Sequence, residues 1–154
     1  MRTINDWLNE YGESHKNETN KLIHWICVPV IVFSILGLLY GIKFPLYFGT
    51  YRLNVGLVVS VIALVYYFSL SPSLSVGMLL YLSICMLLAN TIERSGVMPL
   101  WLFSIIVFVL AWVGQFYGHK IEGKKPSFLK DLQFLMIGPA WLMSFIYKKL
   151  GVGL

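Results

Sequence analysis

The sequence predicts an all-α membrane protein, a polytopic bundle of four transmembrane helices followed by a short interfacial or re-entrant C-terminal helix. Of its 154 residues, 58% are hydrophobic and 12% are charged, and the mean hydropathy is +0.74. Soluble domains carry about 25% charged residues. This chain has too few charges to cover a water-facing surface, and its many aromatic side chains suit the two membrane interfaces.

Four apolar segments are long enough, or nearly so, to cross the hydrocarbon core, which takes about 20 helical residues. They are residues 22–41, 54–70, 74–92 and 98–117. Pro72 lies in the short break between the second and third segments, where a turn is expected. No repeat or linker interrupts the series, so residues 1–154 are predicted to form a single domain.

A fifth apolar segment, residues 132–147, is shorter and contains the pair Gly138-Pro139. Its length favours an interfacial or re-entrant helix packed on the bundle over a full crossing. We expect the Gly-Pro pair to kink this helix.

The basic residues favour an orientation with both termini in the cytoplasm. With four spans, nine of the twelve Lys and Arg residues then lie on the cytoplasmic side, as the positive-inside rule requires. The net charge of +5 is therefore attributed to membrane topology and contact with anionic lipid headgroups. It does not indicate a nucleic-acid-binding protein. The predicted location is the bacterial inner membrane, or the endoplasmic reticulum of a eukaryote.

Three histidines lie beside the predicted spans. His15 and His24 flank the start of the first span, and His119 follows the fourth. An even number of crossings places all three at one face of the membrane. Ionisable groups near the hydrocarbon are costly and usually face the bundle interior.

His15 and His24 can approach each other only if the chain turns between them. Nine residues along a straight helix would place them on opposite faces. We predict that a helix begun near Thr3 ends at Gly12 and that Ser14 or Asn17 caps the next one. Asn20 shares a helical face with His24.

A second polar group is expected where the fourth span ends. If that helix continues past the membrane, Gln115, His119 and Glu122 share one face. Imidazoles with a carboxylate suit zinc or non-haem iron, so the sequence predicts a metal centre. Two alternatives stay open: a zinc-dependent hydrolase with Glu122 as base, and a non-catalytic scaffold or transporter whose histidines only bond locally.

Two stretches of the sequence contain the histidines. The first is "YGESHKNETNKLIHWICVP", Tyr11 to Pro29, and the second is "WVGQFYGHKIEGKKPSFLKDLQFLMIGPAW", Trp112 to Trp141. Together they resemble the 2-hydroxy fatty acid dioxygenase family. The resemblance spans nearly the whole chain, and the second motif is the more specific.

This resemblance implies an Fe(II)-dependent enzyme in which a 2-hydroxy fatty acid and O₂ give a fatty acid one carbon shorter. It implies that iron is held by the family histidines, which correspond to His15, His24 and His119. Glu122 and Lys124 are the expected catalytic residues. The residues expected to bind substrate are Lys124, Lys125, Asn20, Gln115 and Tyr11.

Overall fold

The computed structural model describes residues 2–123 and 134–154. These residues form six helices and one β-hairpin. The helices are α1 (Ile4–Glu13), α2 (Glu18–Tyr40), α3 (Val55–Leu70), α4 (Pro72–Ser95), α5 (Leu100–Glu122) and α6 (Ile137–Leu150), and the strands are β1 (Lys43–Phe48) and β2 (Tyr51–Asn54). The predicted site residues Lys124 and Lys125 lie outside the described residues.

Three helices are long and apolar enough to cross a membrane: α2, α4 and α5, with 23, 24 and 23 residues. The second predicted span, residues 54–70, corresponds to α3, which is apolar but has 16 residues. At 1.5 Å per residue its length is about 24 Å, less than the hydrocarbon thickness of about 30 Å. The chain therefore has the helices of a membrane protein, and a bundle of four full crossings stays a prediction.

The expectation of an all-α chain is wrong between α2 and α3, where β1 and β2 form an antiparallel hairpin. Phe48 pairs with Tyr51, so only two residues make the turn, and the first of them, Gly49, has a φ of 62°. Two-residue hairpins need such positive φ angles, which glycine adopts without strain. Aromatic residues, which favour strands, fill both sides of this turn.

Small residues bring α2 and α5 close together. A Cβ on Gly114 would lie 2.6 Å from the Cys27 sulfur, and a Cβ on Gly118 would collide with the side-chain oxygen of Asn20. The spacing Gly-x-x-x-Gly on α5 gives the flat helix face that allows such close backbone approach in membranes. The two helices that carry His24 and His119 are thus in direct contact.

The Gly138-Pro139 pair begins α6, so the predicted kink is wrong. Pro139 is the third residue of the helix. The first N–H groups of a helix have no carbonyl partner within it, so proline costs little there.

α6 packs across the end of the bundle at which α4 begins. The Tyr147 hydroxyl donates to the carbonyl of Ser73 at 2.6 Å and accepts the N–H of Gly77 at 3.0 Å. At the other end of α6, Gly138 lies against Val28 and Tyr11. The helix therefore contacts α1, α2 and α4 at the end where the histidines lie.

Candidate functional site

The three histidine rings form one cluster. The ring centroids of His15 and His24 are 4.2 Å apart, those of His24 and His119 are 5.4 Å apart, and those of His15 and His119 are 6.4 Å apart. All three side chains are buried. The prediction that the start of α2 and the end of α5 bring their imidazoles together is confirmed.

The chain turn that orients His15 forms as predicted. Thr3 caps α1 in a reciprocal capping box with Asp6, α1 ends at Glu13, and Asn17 caps α2. The hydrogen bonds from the Thr3 backbone N–H and hydroxyl hold the pKa of the Asp6 carboxyl below its usual value. Because the chain breaks between α1 and α2, His15 and His24 do not lie on opposite faces of one straight helix.

Backbone carbonyls orient two of the imidazoles. His15 Nδ1 lies 2.6 Å from the carbonyl oxygen of Tyr11, and His24 Nδ1 lies 2.9 Å from that of Asn20. A carbonyl oxygen can only accept, so in each neutral ring Nδ1 carries the proton and Nε2 carries the lone pair. This is the tautomer of a histidine that uses Nε2 as a metal ligand.

Aromatic side chains surround His15. The Tyr11 ring stacks on it with a centroid separation of 4.2 Å and an interplanar angle of 12°. The Trp141 ring lies 5.2 Å away. Tyr11, predicted to bind substrate, is thus buried against His15. Trp141 was not among the predicted site residues, although it ends the second of the two stretches that carry the family resemblance.

Glu122 joins the end of α5 to the start of α2. Its Oε1 accepts the backbone N–H of Lys16 at 3.0 Å, and its Oε2 accepts the backbone N–H of Asn17 at 3.0 Å and the side-chain amide of Asn20 at 2.9 Å. The predicted continuation of this helix beyond His119 is confirmed, since α5 ends at Glu122. Both carboxylate oxygens are engaged by donors from the segment that carries His15.

Two amides predicted to bind substrate are buried beside the cluster. Asn20 is fully buried and Gln115 is 8% exposed. Within residues 2–123 and 134–154, the oxygens Asn20 Oδ1 and Gln115 Oε1 have no hydrogen-bond partner. Buried acceptors without a partner are rare and call for an explanation, such as a ligand or an ordered water.

The three imidazoles are side chains of a type that binds metal ions, although their rings do not converge on one point in this structure. Among the described residues, no three His, Cys, Asp or Glu side chains are arranged to share an ion as they stand. The imidazoles are nevertheless buried, close together and, for His15 and His24, held in the required tautomer.

Comparison with known proteins agrees with the sequence motifs. The protein-family model described as "2-hydroxy-palmitic acid dioxygenase Mpo1-like" matches residues 1–150. The chain is 32% identical over 148 residues to the 2-hydroxy-palmitic acid dioxygenase MPO1 of Saccharomyces cerevisiae, a match that covers 94% of this chain and 79% of that protein. No solved structure matches the chain.

Proposed function

The chain belongs to the Mpo1-like family, and we propose on this premise that it is an Fe(II)-dependent dioxygenase of 2-hydroxy fatty acids. The observation that supports this most directly is the buried cluster of three imidazoles within 6.4 Å of one another. The reaction balances as one 2-hydroxy acid and one O₂ giving the acid one carbon shorter, CO₂ and water. The carboxyl carbon is lost and the hydroxyl-bearing carbon becomes the new carboxyl.

In this proposal His15, His24 and His119 hold the iron, and the iron supplies the reaction with O₂. The protein supplies orientation and exclusion of water. The buried acceptors of Asn20 and Gln115 are available to a substrate hydroxyl, which is a donor. Lys124 and Lys125 stay candidates for the substrate carboxylate.

Glu122 has a different role in this proposal from the one that the sequence indicated. A carboxylate that accepts three hydrogen bonds from the α1–α2 connection and Asn20 is poorly placed to act as a general base. It acts instead through the histidine-bearing segment that it holds. This arrangement also weighs against the zinc hydrolase, in which Glu122 would have to activate water.

We further propose that the protein is integral to a membrane, with the histidine cluster and both termini at the cytoplasmic face. The three long apolar helices support the first part. The excess of Lys and Arg residues in the segments predicted to lie at that face supports the cytoplasmic placement.

The test is turnover together with metal analysis. Purified protein, loaded anaerobically with Fe(II), is given 2-hydroxypalmitate and O₂, and the products are followed by mass spectrometry. We expect the C15 acid and consumption of one O₂ per acid. His24→Ala and His119→Ala should lose both iron and activity, whereas the exposed neighbour variant Lys120→Gln should keep both. Zinc as the bound metal, or variants that retain iron, would contradict the proposal.

A further inference from the structure

We propose that the substrate binds in a bipartite groove formed by α1, α2, α4 and α6, with its carboxylate beside Lys16 and its acyl chain passing Trp25 and Phe145. This inference rests on the proposed function, since it assigns the binding site of the same 2-hydroxy fatty acid. It also gives α6 a function, as one wall of that groove.

The first part of the groove is a cavity of about 540 Å³ that reaches the histidine cluster. His15 lines it together with Lys16, Lys21, Trp141 and Phe145. Its lining therefore combines charged side chains, aromatic rings and an imidazole of the proposed iron site. A 2-hydroxy acid calls for this combination, because its carboxylate, its hydroxyl-bearing carbon and its apolar chain directly follow one another.

The cavity is lined by both cationic and anionic side chains. Lys21 pairs with Glu18 at 2.9 Å, and Glu13 also lines the cavity. No ion pair of Lys16 is seen in the part of the chain that the structure describes, and its side chain is exposed. Of the two described lysines that line this cavity, Lys16 is therefore the one available to meet a substrate carboxylate close to His15.

The second part is a smaller cavity of about 120 Å³ between α2, α4 and α6. It is lined by apolar groups of Trp25, Pro29, Met78, Met143 and Ile146, with Tyr81. The Tyr81 hydroxyl donates to the carbonyl of Pro29 at 2.8 Å, so its polar group is satisfied and its ring faces the space. Such a lining suits methylene groups and offers nothing to a polar ligand.

One aromatic pair links a lining residue of the first cavity to a lining residue of the second. Phe145 lines the first, Trp25 lines the second, and their ring centroids are 6.1 Å apart. On α2, Lys21, Trp25 and Pro29 follow one another at intervals of four residues and so lie along one helical face. A single ligand that starts at Lys16 and Lys21 and continues to Pro29 therefore follows this face from polar to apolar surroundings.

The size of the second cavity determines where the acyl chain of the substrate leaves the protein. A volume of about 120 Å³ accepts only part of a 16-carbon chain. Trp25 and Ile146 at this cavity are 38% and 41% exposed. The remaining methylenes therefore pass between these side chains toward the lipid, an apolar environment that tolerates different chain lengths.

The binding path is tested by photo-crosslinking, which needs no turnover. The probe is a 2-hydroxy fatty acid with a diazirine near the middle of its chain, added to the iron-loaded protein under anaerobic conditions. We expect labelled peptides from the α6 segment with Met143 and the α4 segment with Met78, and suppression by excess 2-hydroxypalmitate. Labelling confined to the outward face of α3, or labelling that excess substrate does not suppress, would overturn the proposal.

Matched variants test the apolar part. Ile146→Trp fills the groove, and Ile105→Trp makes the same change at a side chain of α5 with a similar exposure of 42%. We expect Ile146→Trp to lower kcat/KM for 2-hydroxypalmitate and the crosslinking yield by about tenfold, with iron content unchanged. Ile105→Trp should leave all three as in the wild type. Equal effects of both variants, or no effect of Ile146→Trp, would refute the acyl-chain path.

Matched lysine variants test the polar part. Lys16→Gln should raise the Kd of 2-hydroxypalmitate about fivefold, the size expected of one exposed charge pair, and should leave the Kd of its methyl ester unchanged. Lys120→Gln, an exposed lysine at the end of α5 that does not line the cavity, should change neither. A loss that is equal for acid and ester would show that Lys16 does not meet the carboxylate.

The outcomes distinguish this inference from the proposed function. Saturable labelling of α4 and α6 without any C15 product would support the groove and contradict the dioxygenase. Formation of C15 acid with labelling elsewhere would support the dioxygenase and contradict the groove.

Discussion

Glu122, the last residue of α5, holds Asn17, the residue that caps α2. Its Oε2 accepts the Asn17 backbone N–H at 3.0 Å, while its Oε1 accepts the adjacent Lys16 N–H at the same distance. His15 immediately precedes these two residues, and His119 lies one turn before Glu122 on α5. One carboxylate therefore fixes the separation of two imidazoles that are far apart in the sequence.

Removal of this carboxylate should loosen the cluster while the bundle stays folded. The two bonded backbone amides are exposed and can bond to water instead, but the bonded Asn20 side-chain amide belongs to a buried residue. We therefore expect Glu122→Ala to cost about 1–3 kcal/mol of unfolding free energy. Iron content and activity should fall much further, by about tenfold, as for residues that orient metal ligands. Glu122→Gln should lose less iron than Glu122→Ala, because it retains one acceptor oxygen.

Metal analysis and thermal unfolding of the same preparations measure this effect. Glu93→Gln is the control, since Glu93 forms a single ion pair with Lys43 near the hairpin. It should keep full iron content. If Glu122→Ala retained its iron, the carboxylate would not position the cluster.

Gly118→Ala tests the helix contact that brings α2 and α5 together. The added methyl would meet Asn20 Oδ1 and would lie 3.4 Å from His24 Cε1. We expect a loss of about 1–3 kcal/mol from overpacking, with a lower Tm and loss of iron. Gly153→Ala adds a methyl where no atom lies within 4 Å and should leave the Tm unchanged. An unchanged Tm for Gly118→Ala would show that the helices are not packed this closely.

The roles of the Tyr11 ring and the Tyr11 hydroxyl can be tested separately. Because its ring stacks on His15 at 4.2 Å, we expect Tyr11→Leu to retain less iron than Tyr11→Phe, which preserves the stacked ring. If Tyr11 binds substrate through its hydroxyl, as the sequence suggests, Tyr11→Phe should raise KM at full iron content. Equal iron loss in the two variants would argue against a role for the ring.

The predicted topology places the α4–α5 connection and the C-terminus on opposite faces. Val97 is 89% exposed and Val152 is 48% exposed, so cysteine at either position is a suitable reporter once the buried Cys27 and Cys85 have been replaced by alanine. We expect an impermeant maleimide to label position 97 in intact cells and position 152 only after permeabilisation. Labelling of both positions from the same side would contradict an even number of spans.

Local rules predicted the helices well, since each depended on nearby residues. The break before Asn17 followed from capping residues within a few positions. The span predicted at residues 98–117 corresponds to α5, which runs on to Glu122. The hairpin was missed because residues 42–53 were treated only as the connection between two spans. Positive φ at Gly49 was the decisive feature, and glycine alone does not reveal it.

The site was predictable only in part. The convergence of the three histidines followed from counting crossings, which needs no side-chain geometry. The contacts of Glu122 with Lys16, Asn17 and Asn20 did not follow, because they depend on how closely the end of α5 packs against the start of α2. The nearness of Trp141 to His15 depended on where α6 packs, and neither composition nor spacing fixes that placement.

The distance along the chain between the partners of the cluster bears on how the protein is made. Asn20 and Glu122, whose side chains bond at 2.9 Å, are 102 positions apart. A ribosome delivers His15 and His24 to the membrane long before His119, so the early half of the nascent polypeptide holds two imidazoles that have no third. Formation of the three-histidine cluster must therefore wait for insertion of α5, and a product truncated before that helix cannot form it.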